Sequence, residues 1–244
     1  MTGIYRLADL NIEIVSCYPY IHDFCRDYRI EETSCIPDFT VRPTQAELEF
    51  ERRKSAEIDA YEGLPERNYP DDWLEMLVVH RMIAEKLPDC NGFLLHGSAV
   101  AVDGECFVFT AKSGTGKSTH TRLWRELLGE RAVMVNDDKP LVRVTERGTI
   151  AYGTPWNGKH CLGSNVAVPL KALCILERGE ENRICEVGMD EMLPKLLLQA
   201  YRPMNPAGTK KLLDVFDRMD VRFYRMQCNM DISAAELAYT TMKG

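Results

Sequence analysis

Glu105-Cys106-Phe107-Val108-Phe109-Thr110 runs directly into Ala111-Lys112-Ser113-Gly114-Thr115-Gly116-Lys117-Ser118-Thr119, and this junction decides the fold. The first stretch is apolar and aromatic, the pattern of a buried strand. The second has the glycine and lysine spacing of a phosphate-binding loop. Its glycines let successive backbone N–H groups turn toward one centre, Lys117 is placed to reach β/γ-phosphates, and Ser118 offers a hydroxyl to Mg²⁺. Beyond it, apolar Leu123, Trp124, Leu127 and Leu128 precede Gly129. A one-faced helix over Lys117–Leu128 is therefore expected to start inside the loop, with its dipole facing the phosphates. Ser113, Gly114, Thr115, Gly116, Lys117, Ser118 and Thr119 are the expected nucleotide contacts. Ala111 stands where such loops commonly carry their first glycine, but the two glycines nearest the lysine are kept.

Reading backward, Leu94–Val102 and Glu105–Thr110 are both strand-like, and Asp103-Gly104 between them signals a type I′ turn. In such a hairpin paired residue numbers have a constant sum, so Val102 faces Glu105, Val100 faces Phe107 and His96 falls opposite Ala111. The register thus predicts an imidazole at the mouth of the loop. Reading forward, Ala132–Asn136 is a short apolar run ending in Asp137-Asp138. Carboxylates at a strand end beside a phosphate loop can hold Mg²⁺ and accept a hydroxyl proton. Neighbouring strand side chains point opposite ways, so both can reach the phosphates only where the strand has ended. Asp137 is the expected base and Asp138, with Ser118, the expected metal ligand, an order that sequence leaves open.

Leu95-His96-Gly97-Ser98-Ala99, the loop and Asp137-Asp138 resemble, in order and approximate spacing, the HPr kinase/phosphorylases and phosphoenolpyruvate carboxykinases, most closely the small HPr-kinase-related proteins of bacteria. The resemblance is good over residues 92–165. It implies an α/β fold with the phosphate loop in a mixed, largely antiparallel sheet, with His96, Asp137 and Asp138 around the metal and the transferred phosphoryl. It also implies ATP and Mg²⁺, or Mn²⁺ in its place, and a hydroxyl acceptor such as serine of a protein or peptide. GTP or pyrophosphate in place of ATP, a small carboxykinase-like activity on an organic acid, and a non-catalytic nucleotide-binding regulator stay open as alternatives.

The chain has 244 residues, 45% of them hydrophobic, enough for one sizeable core with an appended lobe. A formal net charge of −7 argues against nonspecific nucleic-acid or membrane binding. Nine scattered cysteines without a Cys-x-x-Cys pair read as thiols of a reducing cytosol. The polar N-terminus and the lack of a long apolar run lead us to expect a cytoplasmic protein, and a homo-oligomer stays open.

Upstream, Leu10–Ser16 alternates like a strand, Asp38–Arg42 is a second short one, and Thr44-x-x-Glu47 is a capping box opening a charged helix to about Ala60. The polar, proline-containing stretch 63–72 suggests an N-terminal α+β segment, 1–70, and a catalytic domain, 71–244, that begins with a helix over Trp73–Leu87. Downstream, a hairpin over Pro140–Val144 and Thr149–Tyr152 leads to Gly153-Thr154-Pro155-Trp156-Asn157-Gly158-Lys159-His160. That string also resembles the small HPr-kinase-related proteins. Lys159 is our candidate for a further catalytic cation, against the plainer reading of a solvated lysine beside a core tryptophan. A buried strand is expected at Leu170–Leu176, helices at Met189–Tyr201 and Gly208–Met219, a strand at Val221–Gln227 and a helix capped by Ser233.

Overall fold

The computed structural model describes residues 1–31, 35–65 and 67–244. It divides into two compact units, Met1–Ala84 and Glu85–Gly244. The division lies beyond the stretch expected from composition, and the helix over Asp71–Lys86 falls almost wholly in the first unit.

In the first unit β1 (Thr2–Leu7) and β2 (Leu10–Val15) form an antiparallel hairpin, followed by a short α1 (Tyr20–Phe24), β3 (Arg29–Ile30) and β4 (Phe39–Val41). The sheet order is β3-β1-β2-β4. Leu10, Ile12 and Ile14 are buried and alternate with partly exposed residues, as the period-2 pattern requires. β1 was not legible in the sequence. Helix α2 (Gln45–Tyr61) opens with the complete Thr44/Glu47 capping box. Its inward residues include Glu51 and Asp59, each compensated: Glu51 accepts from Arg81 Nε at 3.0 Å, and Asp59 from Arg67 and Tyr69. Glu49 and Arg53 lie on the solvated face. Helix α3 (Asp71–Lys86) ends the unit.

The second unit is a mixed α/β assembly. Its elements are β5 (Gly92–Leu94), β6 (Gly97–Val102), β7 (Glu105–Thr110), α4 (Lys117–Leu128), β8 (Ala132–Asn136), β9 (Leu141–Thr145), β10 (Gly148–Tyr152), β11 (Ala167–Arg178), β12 (Arg183–Val187), α5 (Met189–Gln199), α6 (Pro206–Asp217), β13 (Arg222–Cys228) and α7 (Ile232–Lys243). The strand path is β5-β9-β10-β11-β7-β6-β8, with β13 on β11 and β12 on β13. Only the β11–β7 and β11–β13 pairings are parallel, so the sheet is mixed and largely antiparallel.

Alternation along the central strands sends side chains to two cores. Cys106 and Val108 join the cluster under α5 and α6, with Leu196, Leu212 and Phe216. Phe107 and Phe109 join the one under α4 and α7, with Trp124, Ala234 and Met242. Burial on both faces is why β7 reads as an unbroken apolar run rather than an alternating one.

The β6–β7 hairpin has the expected register, from Val102↔Glu105 to Gly97↔Thr110. Its turn places Asp103 at φ 53° and Gly104 at φ 85°, the paired left-handed conformations of a type I′ turn. The strand expected over Leu94–Val102 is, however, two strands. At Leu95 and His96 the backbone changes partners: Leu95 N donates to Pro140 O, and His96 N to Gln199 O. β5 then pairs with β9 instead. At the C-terminus α7 has Asp231 rather than Ser233 at its N-cap position, without a side-chain capping bond, and β12 was not expected, because its residues are largely exposed and bury little apolar pattern.

Candidate active site

The loop between β7 and α4 is built by backbone conformation. Gly114 and Gly116 lie at φ 76° and 122°, where side chains are strained. Gly116 precedes α4 as its N-cap without any side-chain cap, leaving first-turn N–H groups free of intrahelical acceptors and available to an anion. Lys117 Nζ donates to Ala111 O at 3.1 Å, folding back across the loop. Burial lowers the Lys117 pKa, and the Asp138 carboxylate opposes that shift.

Opposite the loop, β8 ends at Asn136, whose fully buried amide shapes the turn beyond the strand. Its Nδ2 donates to Thr154 O and Oγ1 at 3.1 and 2.9 Å. Its Oδ1 accepts from the backbone N–H groups of Asp138 and Lys139 at 2.8 and 2.6 Å. This Asx turn bends the chain at the acidic pair, which is how two adjacent carboxylates come to face one cavity.

The two carboxylates live in different surroundings. Asp137 is 7% exposed, and its Oδ1 accepts from Ser98 Oγ at 2.6 Å. Ser98 Oγ in turn lies 2.8 Å from Thr121 Oγ1 on α4. A buried hydroxyl chain therefore fixes Asp137 relative to the helix that begins at the loop. Asp138 is partly open, its Oδ1 3.5 Å from His96 Nε2 and 3.4 Å from Lys139 Nζ. Burial, then Lys139 and Lys117, push the His96 pKa down to about 4. The imidazole is thus neutral at pH 7 despite the neighbouring carboxylate. Its backbone is pinned on both sides, by Gln199 O and by Thr110 Oγ1, which donates to His96 O at 2.8 Å.

These groups line one cavity of about 590 Å³. Of the residues singled out in the sequence, His96, Ser113, Gly114, Gly116, Lys117, Ser118, Thr119, Asp137, Asp138 and Lys159 border it, joined by Gly158 and His160. Thr115 instead borders cavities to either side of the loop. In the 153–160 segment Trp156 is buried, while Lys159 and His160 are exposed at the cavity rim. A Mg²⁺ ion suits such a donor set, since it is usually held by one or two protein oxygens together with phosphates and waters.

Comparison with known proteins adds a family. A family model described as SynChlorMet cassette protein ScmC matches residues 64–198, more than half of the 244-residue chain. The chain belongs to the ScmC family. The ScmC match takes in His96, the loop, the acidic pair and Lys159. No curated protein matches this chain. Among solved structures, the Hpr(Ser) kinase/phosphatase from Coxiella burnetii is similar at a TM-score of 0.36 and 12% identity, covering 62% of this chain and 99% of that one.

Several residues of the site in this ScmC-family chain carried no distinct signal in the sequence. Asn136 is one, although an Asn immediately before a two-residue polar step is a turn former. Ser98 and Thr121 are small hydroxyls whose role exists only through their contact with Asp137, and Lys139 read as part of a turn. Outside the phosphate cavity, His120 is 2% exposed on α4. Its Nε2 accepts from the Trp124 indole N–H at 3.2 Å, and burial pushes its pKa down to about 4. A depressed histidine pKa contributes stability that is complete above the unfolded value near 6.5 and is lost as pH falls toward 4. For His120 that loss reaches roughly 3 kcal/mol across the window. Urea midpoints are therefore expected to fall between pH 7 and pH 5, and less steeply in His120→Gln, which keeps an acceptor for Trp124 but does not titrate. Equal slopes in both proteins would remove His120 from the acid response.

Proposed function

We propose that the Glu85–Gly244 unit is a Mg²⁺-dependent phosphotransferase that moves the γ-phosphoryl of ATP to a hydroxyl, such as a serine side chain of a protein or peptide. The observation that carries this reading is the meeting, in one cavity, of the loop lysine, a fixed carboxylate, and a second carboxylate 3.5 Å from an imidazole. A site that only binds nucleotide has no use for that second carboxylate–imidazole pair.

The surroundings of the two aspartates support roles in the reverse of the order expected from sequence. Asp137, buried and tied through Ser98 and Thr121 to α4, suits a metal ligand acting with Ser118, because its position relative to the loop is fixed. Asp138, on the open side beside His96, suits the base. In the proposed reaction the acceptor hydroxyl gives its proton to Asp138 as its oxygen bonds to the γ-phosphorus. The bond from that phosphorus to the bridging oxygen breaks, and ADP keeps the electron pair. Lys117, the loop amides and Lys159 offset the negative charge spread over the transferring group. His96 lies 3.5 Å from Asp138, and with its pKa lowered by burial it does not compete as a cation for the phosphates.

Binding is tested first. ATP with Mg²⁺ should raise the melting temperature, since a ligand held only by the folded state stabilises it by mass action. Lys117→Ala should reduce that shift. An equal shift in the variant, with binding confirmed by calorimetry, would take the loop out of the nucleotide site.

A further inference from the structure

The phosphate cavity is not the only space the loop borders. A second cavity of about 490 Å³ opens beside it, and Gly114, Gly116 and Thr119 line both. Its walls are Leu123 on α4, Leu176 near the end of β11, and Cys228 and Met230 at and after the end of β13, with Arg178 alongside. Leu123 and Leu176 are 5% and 4% exposed, whereas Met230 is 74% exposed. The cavity is therefore a slot between a helix and two strand ends, with an apolar wall, a flexible thioether at its margin and polar His120, Glu180 and Asn229 also on its lining. Arg178 is held there by bonds to the loop itself, donating from Nη2 to Gly114 O at 2.5 Å and from Nε to Thr115 O at 3.5 Å. A third cavity, about 280 Å³ against α5, shares no lining residue with the phosphate cavity.

The chemistry of the loop gives the space a direction. Glycine-end amides cradle the α/β-phosphates and the lysine reaches the β/γ end. His96, Asp137 and Asp138 stand at the lysine end of the loop, which puts the α-phosphate of a bound triphosphate at the glycine end, by Gly114 and Gly116, where the two cavities adjoin. Of the two further cavities that border the loop, the second is the one that shares lining residues with the phosphate cavity and so is open to a group esterified to the α-phosphate.

We infer that this cavity is the nucleoside pocket: an aromatic base seated between Leu123, Leu176 and Met230, with its ribose near Thr119. The inference rests on reading the loop as a triphosphate site. Apolar walls remove the two faces of a base from water, and a fixed guanidinium is a cation of the kind that stacks on aromatic faces. Because Arg178 also bonds Gly114 and Thr115, occupancy of the pocket and the shape of the loop are coupled through one side chain.

Calorimetry with Mg²⁺·ATP and Mg²⁺·tripolyphosphate separates base from phosphate. The pocket predicts that ATP binds at least about tenfold more tightly, the worth of burying roughly one apolar side chain. Met230→Ser, at an exposed position that leaves the core untouched, should weaken ATP about fivefold and leave tripolyphosphate unchanged. Photolysis with 8-azido-ATP should label residues 176–180 or 228–230. Equal affinities for the two ligands, or labelling of Lys195–Leu198 or Lys159–His160 instead, would overturn the pocket and leave the phosphate site standing. If neither ligand binds, the triphosphate reading of the loop fails, and the pocket with it.

Discussion

Asp138→Asn is expected to lower phosphoryl transfer by about 10²- to 10⁴-fold, the usual contribution of a positioned general base, while ATP affinity is largely kept. The amide that replaces the carboxylate cannot take the hydroxyl proton, but it preserves size and the approach of His96 at 3.5 Å. Asp137→Asn should fail differently. Its oxygen can still accept from Ser98 Oγ, so the fold survives, but a neutral ligand holds the metal less well and the Mg²⁺ dependence should move to higher concentration. Titrating transfer against Mg²⁺ for both variants checks this. Swapped phenotypes would restore the order read from sequence, with Asp137 as base. Transfer unchanged in both would show that the acidic pair is structural.

The second large effect concerns stability. Trp124 is fully buried on α4 and touches Phe107, Phe109 and Tyr239 at ring centroids of 5.0, 5.2 and 5.5 Å. Its N–H also keeps His120 satisfied at Nε2. Trp124→Ala should cost about 3–5 kcal/mol through lost transfer energy and the cavity left behind. Because α4 carries Lys117, Ser118 and Thr121, weaker ATP binding should accompany the loss. Urea unfolding measures the first effect and calorimetry the second. A cost under about 1 kcal/mol would mean that the helix is not anchored through this ring.

Much of this architecture was legible because it is set locally. The Asp103-Gly104 turn fixed the β6–β7 register residue by residue. The glycines and apolar spacing placed α4 at Lys117–Leu128, the bounds it has. The break at Leu95–His96 was not legible, because what ends the ladder is the carbonyl of Gln199, distant in sequence and invisible to any local pattern. The same holds for the differing surroundings of Asp137 and Asp138. Two identical side chains in sequence are separated by Ser98, Thr121 and Asn136, which only the folded chain brings to them. Lys159 was placed by its position in the loop after the acidic pair, and it lines the cavity as an exposed side chain.

The proposed reaction is transfer of a phosphoryl group to a hydroxyl other than water. It is tested most directly by incubating the protein and Mg²⁺ with γ-¹⁸O-labelled ATP and an extract of its own host's peptides and metabolites, then tracking the label by mass spectrometry. Label is expected in an acid-stable phosphate ester that fails to accumulate with Asp138→Asn. ATP consumed with all of the label in inorganic phosphate would contradict it.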